Sequence, residues 1–141
     1  MRNLPFIIIA FCSSIICASA GAAKFSWVAS ANTSTVTVDE LAGGIANGIT
    51  ESCAQAYAVA KFGFYVIGTD YLSPKDGMYV YSVTVTVSKK GSQGADVPPV
   101  DSFSFSGYRP GSPPLAQRRQ MLIQAAQVAA NELCRRLPST R

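Results

Sequence analysis

Residues 78–90, MYVYSVTVTVSKK, place Tyr79, Tyr81, Val83, Val85 and Val87 on one side of an extended chain and Ser82, Thr84 and Thr86 on the other. Strand side chains alternate with a period of two, so this pattern predicts a strand with one buried and one wet face. The Tyr/Val row needs cover, and two helical patterns can supply it. Residues 37–40, TVDE, have the spacing of a capping box, with the Thr37 hydroxyl and the Glu40 carboxylate each accepting from the other's amide. From there the stripe Leu41, Ile45, Ile49, Cys53, Tyr57 and Ala60 predicts one helix, with Lys61 in its last turn and Gly63 as a left-handed cap. Gly43, Gly44 and Gly48 fall inside it, each less favourable than alanine by about 1 kcal/mol. Either the first turns bend there or something packs very close. A second helix is predicted over 113–137, with Ser112 as N-cap, Pro113 at the first helical position, and Leu115, Leu122, Ala125, Ala126, Ala129, Leu133 and Leu137 facing inward.

Three further strands follow from alternation. Residues 24–30 set Phe25, Trp27 and Ala29 against Ser26, Val28 and Ser30, and residues 102–106 turn Phe103 and Phe105 inward between serines. Residues 64–72 are apolar on both sides, Phe64 and Val66 against Tyr65, Ile67 and Tyr71, so periodicity leaves the inward face open. The turn at 73–77, SPKDG, makes that strand and 78–90 a hairpin. Residues 91–101 are rich in glycine and proline and read as an exposed loop, and 107–114 as a second turn. The predicted fold is α+β: a two-layer sandwich with an antiparallel sheet of three to four strands and two helices on one face, in the order β-α-β-β-β-α.

The first twenty residues stand apart. Arg2 precedes an apolar run over 4–17, and Ala18-Ser19-Ala20 has the small-x-small form of a signal peptidase site. Residues 1–20 are therefore read as a secretory signal peptide and 21–141 as the domain, exported to a periplasm or beyond the cell. The apolar run is short of the ~20 residues that span a bilayer, and no later stretch reaches that length. Cys12 and Cys17 leave with the signal. Cys53 and Cys134 remain, most simply as one disulfide closing a loop of about 80 residues, the alternative being two buried thiols. Net charge is +4, a mild basic excess without the dense stripe of a nucleic-acid binder.

The chain contains no histidine, which excludes Ser-His-Asp and Cys-His nucleophile systems and ordinary zinc sites. No Cys-x-x-Cys motif occurs, and the glycines at 43–48 lack the lysine and hydroxyl of a phosphate-binding loop. No catalytic residue, cofactor or metal site is assigned. Most of the eight carboxylates have bland roles: Asp39 and Glu40 start a helix, Asp76 sits in a turn, Asp96 and Asp101 flank a loop, and Glu51 and Glu132 fit solvated helix faces. Asp70, among aromatics near a strand end, is the residue on which an alternative reading rests, a small carboxylate-dependent enzyme acting on extracellular polymers.

Helix, three strands, helix is also the element order of double-stranded RNA-binding domains. Residues 111–133, with Gly111-Ser112, Arg118-Arg119 and AAQVAANEL, loosely resemble the end of such a domain. Pro113-Pro114 stand where that family's lysine cluster is expected, and the export signal separates the chain from cellular RNA, so no nucleic-acid partner is expected. The leading expectation is an exported binding protein, whether inhibitor, immunity-type protein, envelope accessory or secreted effector, with a protein partner. Its contact surface would be the sheet face away from the helices, with Val28, Val80 and either Tyr65 and Ile67 or Phe64 and Val66, or else the 91–101 loop with Lys89 and Lys90 at its base.

Overall fold

The computed structural model describes residues 27–75, 77–90 and 99–137. The proposed signal peptide, Phe25, and most of the 91–101 loop lie outside that set. Four strands form one sheet in the order β1 (Trp27–Asn32), β2 (Phe62–Ser73), β3 (Met78–Lys89) and β4 (Asp101–Pro110). β2, β3 and β4 are antiparallel neighbours, the hairpin register running from Ser73↔Met78 to Phe62↔Lys89. β1 departs from the antiparallel expectation. It lies parallel to β2, Trp27 beside Phe64, because the segment between them is a helical crossover that returns the chain to the same end of the sheet.

The capping box forms as read. Thr37 N donates to Glu40 Oε2 at 2.8 Å and Glu40 N to Thr37 Oγ1 at 3.3 Å, opening α1 (Val38–Gly48). The predicted single helix, however, is broken. Ile49 is extended, and Thr50 caps a second short helix, α2 (Glu51–Ala56), its hydroxyl accepting from Cys53 N at 3.3 Å. A glycine followed by a residue that can cap locally gives the backbone an alternative to continuing the helix. Gly63 is not a left-handed cap. It lies inside β2, which begins at Phe62.

The third helix, α3 (Leu115–Arg135), starts two residues later than predicted, with Pro114 as N-cap in an extended conformation and no side-chain cap. A proline at 114 disfavours the helical region for Pro113, which moves the start beyond the pair. Leu115 consequently leaves the predicted buried stripe and is half exposed. β4 runs on to Pro110 through what reads as a turn, since its pairing with β3 continues to Met78↔Pro110.

The helices lie on one face, α1 over β1 and β2, α3 over β3 and β4. Beneath them Phe64, Val66, Tyr79, Val83, Val85 and Val87 are all buried, as are Leu41, Ile45, Leu122 and Leu133 above. This settles the open question on β2: Phe64 and Val66 point inward. The glycine question is settled as well. A Cβ on Gly44 would stand 2.6 Å from the Ile123 carbonyl oxygen, and one on Gly48 would strike the Gln127 carbonyl, while one on Gly43 meets nothing. α1 and α3 therefore touch backbone to backbone, with Ala126 and Ala130 at the seam, and Cys53 and Cys134 are bonded just beyond it, their Cα atoms 5.2 Å apart.

Gly48→Ala should destabilise the protein by roughly 1–3 kcal/mol through overpacking. Gly43→Ala should instead stabilise it by up to about 1 kcal/mol through helix propensity. Urea melts of the two variants, read against wild type, check the contrast; equal effects would show that the seam is not close-packed.

Candidate functional site

Two regions could carry function, a polar corner around Asp70 and the sheet face opposite the helices. The corner is built from four elements. Asp70 near the end of β2 points to the helix side, where its Oδ1 accepts from the Thr33 hydroxyl and its Oδ2 from Thr35 Oγ1 at 2.6 Å and Tyr79 OH at 2.9 Å. Thr33 and Thr35 belong to the β1–α1 connection, which Arg119 of α3 also holds by donating to the Thr35 carbonyl at 3.3 Å while lying 3.5 Å from Glu40. The Arg118 guanidinium stands 5.8 Å above the Tyr79 ring, and Tyr81 stacks on that ring with the centroids 5.6 Å apart.

Burial by itself pushes the Asp70 carboxyl up. The hydroxyls of Thr33, Thr35 and Tyr79, together with the Arg118 charge, outweigh it, and the pKa lies below the usual aspartate value. Tyr79, wholly buried, is pushed strongly up, first by burial and then by donating to Asp70. The corner thus holds an ionised acceptor engaged by three hydroxyl donors that keep their protons. Such a carboxylate does not carry a proton to give near neutral pH, and three hydroxyls already donate to it, one to Oδ1 and two to Oδ2. Its chemistry is that of a tie between the crossover, two strands and α3. Among the described residues no group of three or more Cys, Asp or Glu comes together that could hold a metal ion.

The open face is assembled by register. Reading across β2, β3 and β4, Tyr71, Val80 and Tyr108 form one row, exposed by 63%, 42% and 72%. Tyr65 and Ile67 lie on the same face of β2, exposed by 41% and 48%. Between these groups runs a hydroxyl ladder in which Ser82 bonds Ser106 at 2.9 Å, Thr84 bonds Ser104 at 2.8 Å and Thr86 bonds Ser102 at 3.1 Å. The alternation places no carboxylate in the outward rows of β2, β3 and β4.

Of the residues expected at a contact surface, Tyr65, Ile67 and Val80 share this face and are exposed. Val28 stands in register with Tyr65 across β1 and β2, its side chain lying outside the described set. Lys89 and Lys90 are exposed at the end of β3, and the Lys90 stem comes beside Tyr65, since a Cβ on Gly63 would meet Lys90 Cε at 3.7 Å and Tyr65 Cε2 at 3.6 Å. Tyr108 was not anticipated, because residues 107–114 read as a turn. The signal was present: Tyr108 has the parity of Ser102, Ser104 and Ser106. No protein-family model matches this chain, and no curated protein sequence matches it. Its functional reading therefore rests on geometry.

Because the folded pKa of Asp70 lies below the unfolded one, its contribution to stability is complete above about pH 3.9 and is lost as pH falls through the folded value. Asp70→Asn should therefore be less stable at neutral pH by roughly 2 kcal/mol, the worth of hydrogen bonds to a charged group, and should lose less on acidification. Denaturant melts from about pH 3 to 7 test this. An acid limb identical to wild type would remove the carboxylate from the account.

Proposed function

We propose that this chain is an exported binding protein that engages a protein partner through its open sheet face. The observation that carries the reading is the Tyr71–Val80–Tyr108 row, three large side chains aligned across three strands and left in water on a face without carboxylates. Exposed aromatic and aliphatic groups held on a rigid sheet, beside hydroxyls that can complete hydrogen bonds at the rim, have the composition of an interface core. Tyrosine is also favoured at interface hot spots, since it brings large area at small entropic cost. Tyr65 with Lys90 beside it extends the surface toward the other end of the sheet.

Export is supported by the signal pattern of residues 1–20 and by the Cys53–Cys134 bond, which persists in oxidising compartments such as a periplasm or the extracellular space. No helix among the described residues is long and apolar enough to cross a membrane. The engagement of Asp70 by the hydroxyls of Thr33, Thr35 and Tyr79 favours binding over the carboxylate-enzyme alternative.

Tyr71→Glu combined with Tyr108→Glu should abolish partner capture by the immobilised protein while leaving its thermal melt within a few degrees of wild type, as expected for surface changes. Val128→Glu, at an exposed position on α3, serves as the control and should capture as wild type does. Equal capture by all three proteins would sink the open-face reading.

A further inference from the structure

Among the described residues β4 is an unpaired edge of the sheet, ten residues long, whereas the opposite edge, β1, has six. Natural edge strands are usually blunted by lysine, proline, inward charge or a bulge, because their unpaired amides and carbonyls template another strand. From Ser102 to Tyr108 the strand contains no charged residue and no proline. Its outward backbone groups can be named. Gly111 N donates to the Gly77 carbonyl one step beyond the Met78↔Pro110 pair, which fixes the phase, while just outside the other end of the strand the alternation stops, Val100 N also donating to β3, at the Val87 carbonyl. The odd residues of β4 therefore exchange backbone hydrogen bonds with β3, and the even ones, Ser102, Ser104, Ser106 and Tyr108, direct N–H and C=O to the free edge. The hydroxyl ladder agrees, since the even residues face β3 as the closer, non-hydrogen-bonded pairs.

We propose that this edge pairs with β4 of a second copy of the chain, antiparallel about a two-fold axis at Phe105, so that two four-stranded sheets become one. The argument for a second copy is the strand's self-complementarity. Under that axis each residue meets the one equally far from Phe105 in the other direction. Asp101 falls opposite the second copy's Arg109, and Arg109 opposite its Asp101, which converts the end charges of the edge from a deterrent into two ion pairs. Phe103 falls opposite the second copy's Gly107, over which that copy's own Tyr81 ring lies, so that ring meets ring there, and Phe105 meets its counterpart on the helix side, where both phenylalanines are only partly buried in one copy. Ser104 falls opposite Ser106 of the second copy, and Ser102 opposite its Tyr108. All of these serine and tyrosine positions are even, so the outward amides and carbonyls of Ser102, Ser104, Ser106 and Tyr108 each find a partner, about eight backbone hydrogen bonds in all. An isologous contact of this kind closes at two copies. The pairing stands independently of the partner proposed for the open face, and it would run the Thr86–Ser102 row directly into the second copy's Tyr108, Val80 and Tyr71.

The test is the mass in solution, by light scattering and by sedimentation over a dilution series, of the oxidised protein. Wild type is expected at twice the chain mass. Ser104→Pro should be monomeric with its melt retained, because the lost N–H faces the free edge and not β3. Arg109→Asp, which sets two carboxylates against each other at both ends, should raise the dimer dissociation constant at least about tenfold, and the double variant Asp101→Arg, Arg109→Asp should recover it. Should Ser104→Pro fail to fold, the charge swap decides alone. A monomeric wild type, a species larger than a dimer, or a dimer that persists in folded Ser104→Pro would overturn the proposal; a dimer indifferent to Arg109→Asp would overturn the register about Phe105.

Discussion

The structure depends on the approach of α1 to α3 without side chains between them. Gly44 and Gly48 lie against the carbonyls of Ile123 and Gln127, with Ala126 and Ala130 alongside. Only this spacing lets two helices share one face of a narrow sheet and still reach the Tyr/Val row of β3 below. The contacts advance in the same direction along both helices, so the two run parallel, and the seam leads straight to the Cys53–Cys134 bond. That bond spans a sequence separation of 81 residues. In the chain-entropy model such a closure contributes on the order of 4–5 kcal/mol, comparable to the whole stability of a small domain.

The two faces of the sheet are held to different rules. Inside, each β3 residue from Val83 to Val87 of odd number is fully buried, and the carboxylate of Asp70 is held by hydroxyl donors. Outside, hydroxyls bond to hydroxyls across β3 and β4, and the large groups gather in the row at Tyr71, Val80 and Tyr108. The Asp70 corner secures the same end of the sheet from behind, tying β2 and β3 to the crossover where Tyr71 and Val80 sit on the front.

Much of this was legible from residue order alone. The alternation of 78–90, the capping box at Thr37 and the inward turn of Phe103 and Phe105 rest on local periodicity, and each is realised. What escaped depends on contacts between distant segments. The stripe from Leu41 to Ala60 is periodic enough for one helix, yet the close seam with α3 ends at Gly48, and Thr50 offers a second cap. The two apolar sides of β2 cannot be ranked without knowing which is covered. Leu115 looks like core by composition but precedes the point where α3 meets the sheet. For the open face, Val80 could be picked out alone, and Tyr65 and Ile67 only as one of two alternatives with Phe64 and Val66. Their assembly with Tyr108 needed the register, because a row exists only once three strands are aligned.

The alternation of β4 sorts two things at once: which face a side chain takes and which neighbour a backbone amide can reach. The two are locked in phase, phenylalanines with amides toward β3 and serines with amides toward the rim. Lengthening the strand by one residue would therefore not shift its pattern gradually. It would expose the rings, bury hydroxyls beneath α3 and exchange the bonded set of amides in one step. A single-codon insertion or deletion within it therefore changes face and bonded neighbour together for every residue beyond it, unless a bulge absorbs the change.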